Sequence, residues 1–298
     1  MKYTLGISAH YHDSAACLLA DSEIVAAAQE ERFSRIKHDP SFPQKAIEYC
    51  CSVVGIHPSE IENVGYYEKP KLKFDRILRT FEHYAPLGFD CFYQAVDNWI
   101  GEKSKVNEKL ISIFGTAEVH YNEHHESHAM SAFYPSPFDD AAILTIDGVG
   151  EWSTSTLSQG QGHKIDIIKE LRFPHSVGLL YSAFTAFTGF RVNSGEYKVM
   201  GLAPYGRPKY VDKILNELME LKEDGSLRLN LDYFTFPYRQ RMTNEKFAEL
   251  FDGPMRKPES ELTQREMDLA KSVQVVVEKI VLRMARYAHE VKIGRAHV

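Results

Sequence analysis

Four groups of residues in this chain have the types and spacing to do chemistry. In NEHHESHAMSAF, His124 and His128 stand four apart. On a helix such residues share a face, so both imidazoles can reach one cation. Two ligands are too few for a transition-metal site, and a third, usually a carboxylate, must come from elsewhere. The plainer alternative is an incidental pair of surface histidines. The overlapping His125-Glu126-Ser127-His128 has the wrong spacing for the zinc-protease H-E-x-x-H motif.

The second group is LTIDGVGEWSTS, an apolar run ending in Asp147, with Gly148 and Gly150 and then hydroxyl residues. The Asp can hold a cation or its water, the glycines open the backbone to an anion, and the hydroxyls donate. A plain Asp-Gly hairpin turn reads the same way. The third is GISAHYHDSAA, where small residues let backbone N–H groups approach an anion and His12, beside Asp13, adds a switchable donor. A polar hairpin turn is the alternative. The fourth is NSGEYKVMGLAPYG, too rich in glycine for an ordinary helix and expected to be a functional loop or a helix start closing over a ligand. Within it Lys198 could meet a phosphate and Glu196 could orient it. No G-x-x-x-x-G-K-[ST] motif occurs, which disfavours a P-loop enzyme.

The elements that must position these groups fall into two similar series. Residues 3–29 read as strand, polar turn, strand, turn, strand. The same plan returns from DAAILTIDGVG through EWSTSTLSQG to HKIDIIKELRF. Between them, Pro43 marks a helix start and Gly55 its stop, IENVGYYE is strand-like, and residues 71–114 read as helices with a loop near 86–88. Apolar spacing predicts helices in VGLLYSAFTAFTGF, in KYVDKILNELMELKE and from Glu259 to Val291, the last containing a capping box at Thr263 and Glu266. The segment KIGRAHV fits nothing before it and reads as a non-native tail.

Composition narrows the class. The 298 residues include 35 Lys+Arg and 41 Asp+Glu, a net charge of −6, and no basic block supports nucleic-acid binding. The apolar runs are too short to span a bilayer, and the start has no separate signal core. The four cysteines, Cys17, Cys50, Cys51 and Cys91, form no CxxC pair and read as reduced, mostly buried thiols of a cytoplasmic protein. Two hairpin starts with polar turns are the layout of an actin-like ATPase fold, whose halves clamp a nucleotide's phosphates.

LGISAHYHDSAACLL, AAAQEERFSRIKHDPSFP, HHESHAMSAFYPSPF, LTIDGVGEWSTS, PHSVGLLYSAFTAFTGF and GEYKVMGLAPYG together resemble the O-carbamoyltransferases of nodulation-factor and antibiotic biosynthesis, from the first residues to about His289. The resemblance implies an α/β, actin-like (ribonuclease H-like) duplicated βββαβα fold similar to the tRNA threonylcarbamoyl-transfer protein. Its first half would be 1–139, an incomplete second half 140–291, and the tail 292–298. It implies transfer of a carbamoyl group from carbamoyl-adenylate, made from carbamoyl phosphate and ATP by a C-terminal domain of the same chain, to a small-molecule hydroxyl. A divalent metal, iron(II) first and magnesium as an alternative, would sit on His124 and His128, with the third ligand, an Asp, beyond the chain end. His12 and Asp13 would be catalytic. Asp147, Gly148, Gly150, Gly195, Glu196 and Lys198 would line the nucleotide and carbamoyl-adenylate. The glycine-rich continuation and the C-terminal domain of the family are missing, so the chain alone is expected to be inactive; a homodimer is allowed. The rival reading is an actin-like small-molecule kinase or a non-enzymatic nucleotide-binding module.

Overall fold

The computed structural model describes residues 1–291 and the backbone strand at 295–297; of the expected tail, 292–294 and 298 lie outside the described residues. Contact clustering gives two compact units, one of residues 1–77 and 93–127, the other of residues 78–92 and 128–298.

In the first unit, β1 (Tyr3–Ser8), β2 (Ala15–Ala20) and β3 (Glu23–Gln29) form an antiparallel meander, and β4 (Asn63–Tyr66) and β5 (Glu118–Tyr121) add in parallel to give the order β3-β2-β1-β4-β5. Alternation decides which face is buried: Leu5 and Ile7 of β1, with Ala16 and Leu18 of β2, point into the core. After the short α1 (Glu31–Ser34), α2 (Gln44–Val54) covers that face with Ala46, Ile47, Cys50 and Cys51. Pro43 gives α2 no side-chain cap. The buried Glu30 supplies it instead, its carboxylate accepting the Ala46 N–H at 2.9 Å. Gly55, at φ 74°, ends the helix with its N–H on Cys51 O at 3.0 Å. The helices α3 (Pro70–Tyr84), α4 (Phe89–Gly101) and α5 (Val106–Phe114) follow, α5 burying Val106, Leu110 and Phe114. Then α6 runs unbroken from His124 to Phe133.

In the second unit, β6 (Asp140–Ile146), β7 (Ser153–Gln161) and β8 (Lys164–Arg172) form a second antiparallel meander. Helices α7 (Val177–Phe187), α8 (Glu196–Leu202), α9 (Val211–Lys213) and α10 (Glu245–Leu250) and the ribbon β9 (Met219–Leu221) with β10 (Leu227–Leu229) come before the long α11 (Gln264–Glu290). Finally β11 (Arg295–His297) pairs in parallel with β6, giving β11-β6-β7-β8. An antiparallel meander joined by parallel strands beside its first member is the order of one half of an actin-like fold, and the second sheet repeats the first four positions. The core of this unit is aromatic: Phe184, Phe187, Phe234, Phe247 and Phe251 are fully buried, with edge-to-face rings such as Phe187–Phe247 at 4.8 Å.

Two expectations need correction. Residues 211–221 are not one helix: α9 gives way to a π-helical turn at Ile214–Leu218 and then to β9. Pairing of β9 with β10 through a turn at Gly225 (φ 82°) overrides the helical spacing, although Ile214 and Leu218 are buried as that spacing implies. The last helix begins at Gln264 rather than Glu259, because the capping box is its start: Thr263 is the N-cap, and Glu266 accepts its N–H at 3.0 Å. The segment 193–206, read as a loop or helix start, is the start of α8 followed by a 3-10 turn at Ala203–Tyr205.

Candidate functional site

The helix α6 begins at His124 and places His128 one turn later, which sets both imidazoles on one face. Tyr67 stands edge-on to His124, with ring centroids 5.7 Å apart. His128, half exposed, has Nε2 3.7 Å from Asp147 Oδ2, so the carboxylate that ends β6 lies beside the second imidazole. The other oxygen of Asp147 accepts the Gly148 N–H at 2.6 Å.

The turn that carries Asp147 is held from both sides. Asp147 N–H donates to Thr154 O at 2.9 Å, and Gly150 N–H to Ser153 O at 2.9 Å. The buried Ser176 hydroxyl, which caps α7 by accepting the Leu179 N–H at 3.0 Å, donates to Gly148 O at 2.7 Å. The first turn of α7 approaches so closely that a Cβ on Gly178 would lie 2.5 Å from Asp147 O, so only glycine fits there.

The β1–β2 turn is built differently. His12 Nδ1 is 2.7 Å from Asp13 Oδ2, and His38 Nδ1 is 2.9 Å from Asp13 Oδ1. Burial pushes the Asp13 carboxyl up, but the hydrogen bonds from His38 and His12 outweigh it and hold the group below its ordinary range. When Nδ1 donates to Asp13, a neutral His12 keeps its lone pair on Nε2, the arrangement of an oriented base. Asp13, Glu31 and His38 also bring one ligand atom each within 4.8 Å of one another. Sequence spacing could not show His38, which reaches Asp13 from 25 residues away.

On the α8 side, Gly195 is the N-cap, and both oxygens of Glu196 are engaged, Oε1 with Ser182 Oγ and Asn193 N–H at 3.0 Å and Oε2 with Gly195 N–H at 3.1 Å. Lys198 Nζ lies 5.8 Å from the Phe190 ring centre. The described cysteines are free thiols, and burial raises Cys50 to about 11. No described helix is long and apolar enough to cross a membrane.

Comparison with known proteins places this geometry. The family model described as "Carbamoyltransferase N-terminus" matches residues 3–296. The chain belongs to that family. It is 54% identical over 299 residues to the uncharacterized protein sll1178 of Synechocystis sp., covering 97% of this chain and 49% of that protein. It is 32% identical over 288 residues to the nodulation protein NolNO of Sinorhizobium fredii, covering 94% of this chain and 39% of that one. This carbamoyltransferase-family chain thus spans about half or less of the length of these relatives. Among solved structures, YeaZ from Pseudomonas aeruginosa is similar at 12% identity and TM-score 0.32, over 58% of this chain and 68% of that one. The Aquifex aeolicus Ppx/GppA family member is similar at 13% and 0.33, over 97% and 91%.

Proposed function

We propose that this chain is the N-terminal catalytic part of an ATP-dependent O-carbamoyltransferase that moves a carbamoyl group from carbamoyl-adenylate to the hydroxyl of a small molecule. The observation that carries the reading, within a chain of this family, is the convergence of two imidazoles one helical turn apart with the carboxylate that ends β6. His124, His128 and Asp147 each offer one ligand atom. Two nitrogens and one carboxylate oxygen form the donor set that suits iron(II) and similar divalent ions, with magnesium a weaker match. Such an ion supplies Lewis-acid polarisation of a carbonyl.

The chain's own residues do the rest. His12, oriented through Nδ1 by Asp13, takes the proton from the acceptor hydroxyl at Nε2. Gly148 and Gly150 keep the β6–β7 turn open toward the leaving phosphate, and Gly195, Glu196 and Lys198 shape the start of α8 on the nucleotide side. Carbamoyl-adenylate comes from carbamoyl phosphate and ATP on a C-terminal domain, so this chain alone does not turn over.

Metal titration tests the reading. The chain binds one equivalent of iron(II), and His124→Ala/His128→Ala weakens binding by at least about 100-fold with an unchanged melting profile, as expected for loss of first ligands. Mg–ATP binding indifferent to both substitutions, with no iron(II) uptake, overturns it in favour of a kinase or nucleotide-binding module. Carbamoylated product from this chain alone, given carbamoyl phosphate, ATP and an alcohol, overturns the division of labour.

A further inference from the structure

A cavity of about 690 Å³ lies within the second unit, inside the ~300–1,000 Å³ range of small-molecule sites. Three features of its wall point to a ligand. Aromatic faces come from Tyr84, Trp152 and Phe173. Planar polar groups come from Asn216 and Glu217, both exposed, and both belong to the π-helical turn Ile214–Leu218. π-helical turns are rare and concentrate at functional sites. Asn230 fixes this one, its amide donating to Glu217 O at 3.1 Å.

Charge decides the ligand class. The wall holds two arginines, Arg79 and Arg228, against two glutamates, Glu217 and Glu220, so it has no excess of either sign to offer a phosphate or a polyamine. His175 adds none: burial and then Arg228 push it below its ordinary value, and its Nδ1 accepts the Leu229 N–H at 3.1 Å, which leaves its N–H on Nε2. Aromatic faces take the C–H face of a sugar ring, and planar amides and carboxylates take neighbouring hydroxyls.

The cavity is also joined to the Asp147 turn. Trp152 closes that turn, and its carbonyl accepts the Phe173 N–H at 2.8 Å. The carbonyl of His175 accepts Thr154 Oγ1 at 2.6 Å, and the next residue, Ser176, holds Gly148. Wall and candidate cation ligand therefore share one hydrogen-bonded loop.

We propose that this cavity seats the hydroxyl acceptor, and that the acceptor is an uncharged, polyhydroxylated, sugar-like molecule. The role as acceptor rests on the carbamoyl-transfer reading; the ligand class does not. The chain's two tryptophans allow a direct test. In a Trp99→Phe chain, which keeps an aromatic ring on Phe74, Trp152 is the sole reporter. Maltose is expected to change its fluorescence saturably, glucose 6-phosphate and glucosamine to bind at least about tenfold more weakly, and Asn216→Ala or Glu217→Gln to weaken maltose by about three- to tenfold. The response should survive His124→Ala/His128→Ala, so loss of iron(II) binding and loss of sugar binding are read separately. No saturable response to maltose, tighter binding of either charged sugar, or indifference to both wall substitutions in chains that melt normally overturns the proposal.

Discussion

The β1–β2 turn and the β6–β7 turn occupy equivalent places in two similar meanders, yet they are held by opposite chemistry. The first contains no glycine and takes positive φ at His10 (64°) and Asp13 (53°). It is strapped by His10 N–H on Pro40 O and Ser14 N–H on Asp39 O, and ionic groups surround it. His12 and His38 share Asp13, His10 Nδ1 is 3.8 Å from Glu102, and the Tyr11 ring lies 5.1 Å from Lys73 Nζ, which pairs with the buried Glu68 at 2.6 Å. The second turn has Gly148 and Gly150, and neutral hydroxyls hold it: Ser176 on Gly148, Thr154 on His175, and Thr145 against Thr156 at 2.7 Å. One scaffold thus carries a proton-handling turn that depends on charge balance and a cation-facing turn that depends on hydrogen-bond geometry.

The comparison breaks most visibly at Glu68. This carboxylate is 2% exposed and pairs with Lys73 and with Lys103 at 3.2 Å. Burial pushes its carboxyl up, and the two lysines outweigh that and hold it ionised. Glu68→Gln leaves two lysines without their counter-charge, and denaturant unfolding should show a loss of about 3–5 kcal/mol. A loss within experimental error would mean that the first turn does not rest on ionic support.

The next effect is one of pH. Burial, and then the charge of Lys73, lower Lys103 from 10.5 to about 8. Between those values the unfolded chain holds a proton that the folded chain has released, so stability rises with pH, by at most about 1.4 kcal/mol per pH unit. The penalty is fully present below pH 8. Lys103→Met should flatten this rise in melts taken from pH 8 to 10; an unchanged slope would place the titration elsewhere.

Much of this framework was legible in the sequence because local chemistry and tertiary structure agree there. The first meander, the Pro43 and Gly55 boundaries of α2 and the helix in VGLLYSAFTAFTGF need only periodicity and caps. The stretch 211–221 misled because its apolar spacing is helical while its partner strand, Leu227–Leu229, lies across a turn. The residue types of the site were visible and their meetings were not. His124 and His128 share a helix, so their spacing sufficed, but the approach of Asp147 to His128 and of His38 to Asp13 depends on how strands and loops return. Ser176 left a weaker signal, a serine just before an apolar helical run, which marks a cap but not what the hydroxyl donates to.

That double use makes Ser176 the finest test of the comparison. Its hydroxyl accepts from Leu179 N–H and donates to Gly148 O, so Ser176→Ala removes a helix cap and a tether of the Asp147 turn together. Thermal unfolding should fall by about 1–2 kcal/mol, the usual size of a lost N-cap at a buried position. Iron(II) affinity should fall as well, since the backbone that aims Asp147 at His128 is no longer fixed, whereas Ser176→Thr, which keeps the hydroxyl, should recover most of both. Because the group is neutral, the stability difference between Ser176→Ala and the parent chain should stay flat from pH 6 to 9. A difference that varies across that range would show the second turn to be electrostatically supported after all, and the contrast between the two halves would then be one of residue type without a difference in physics.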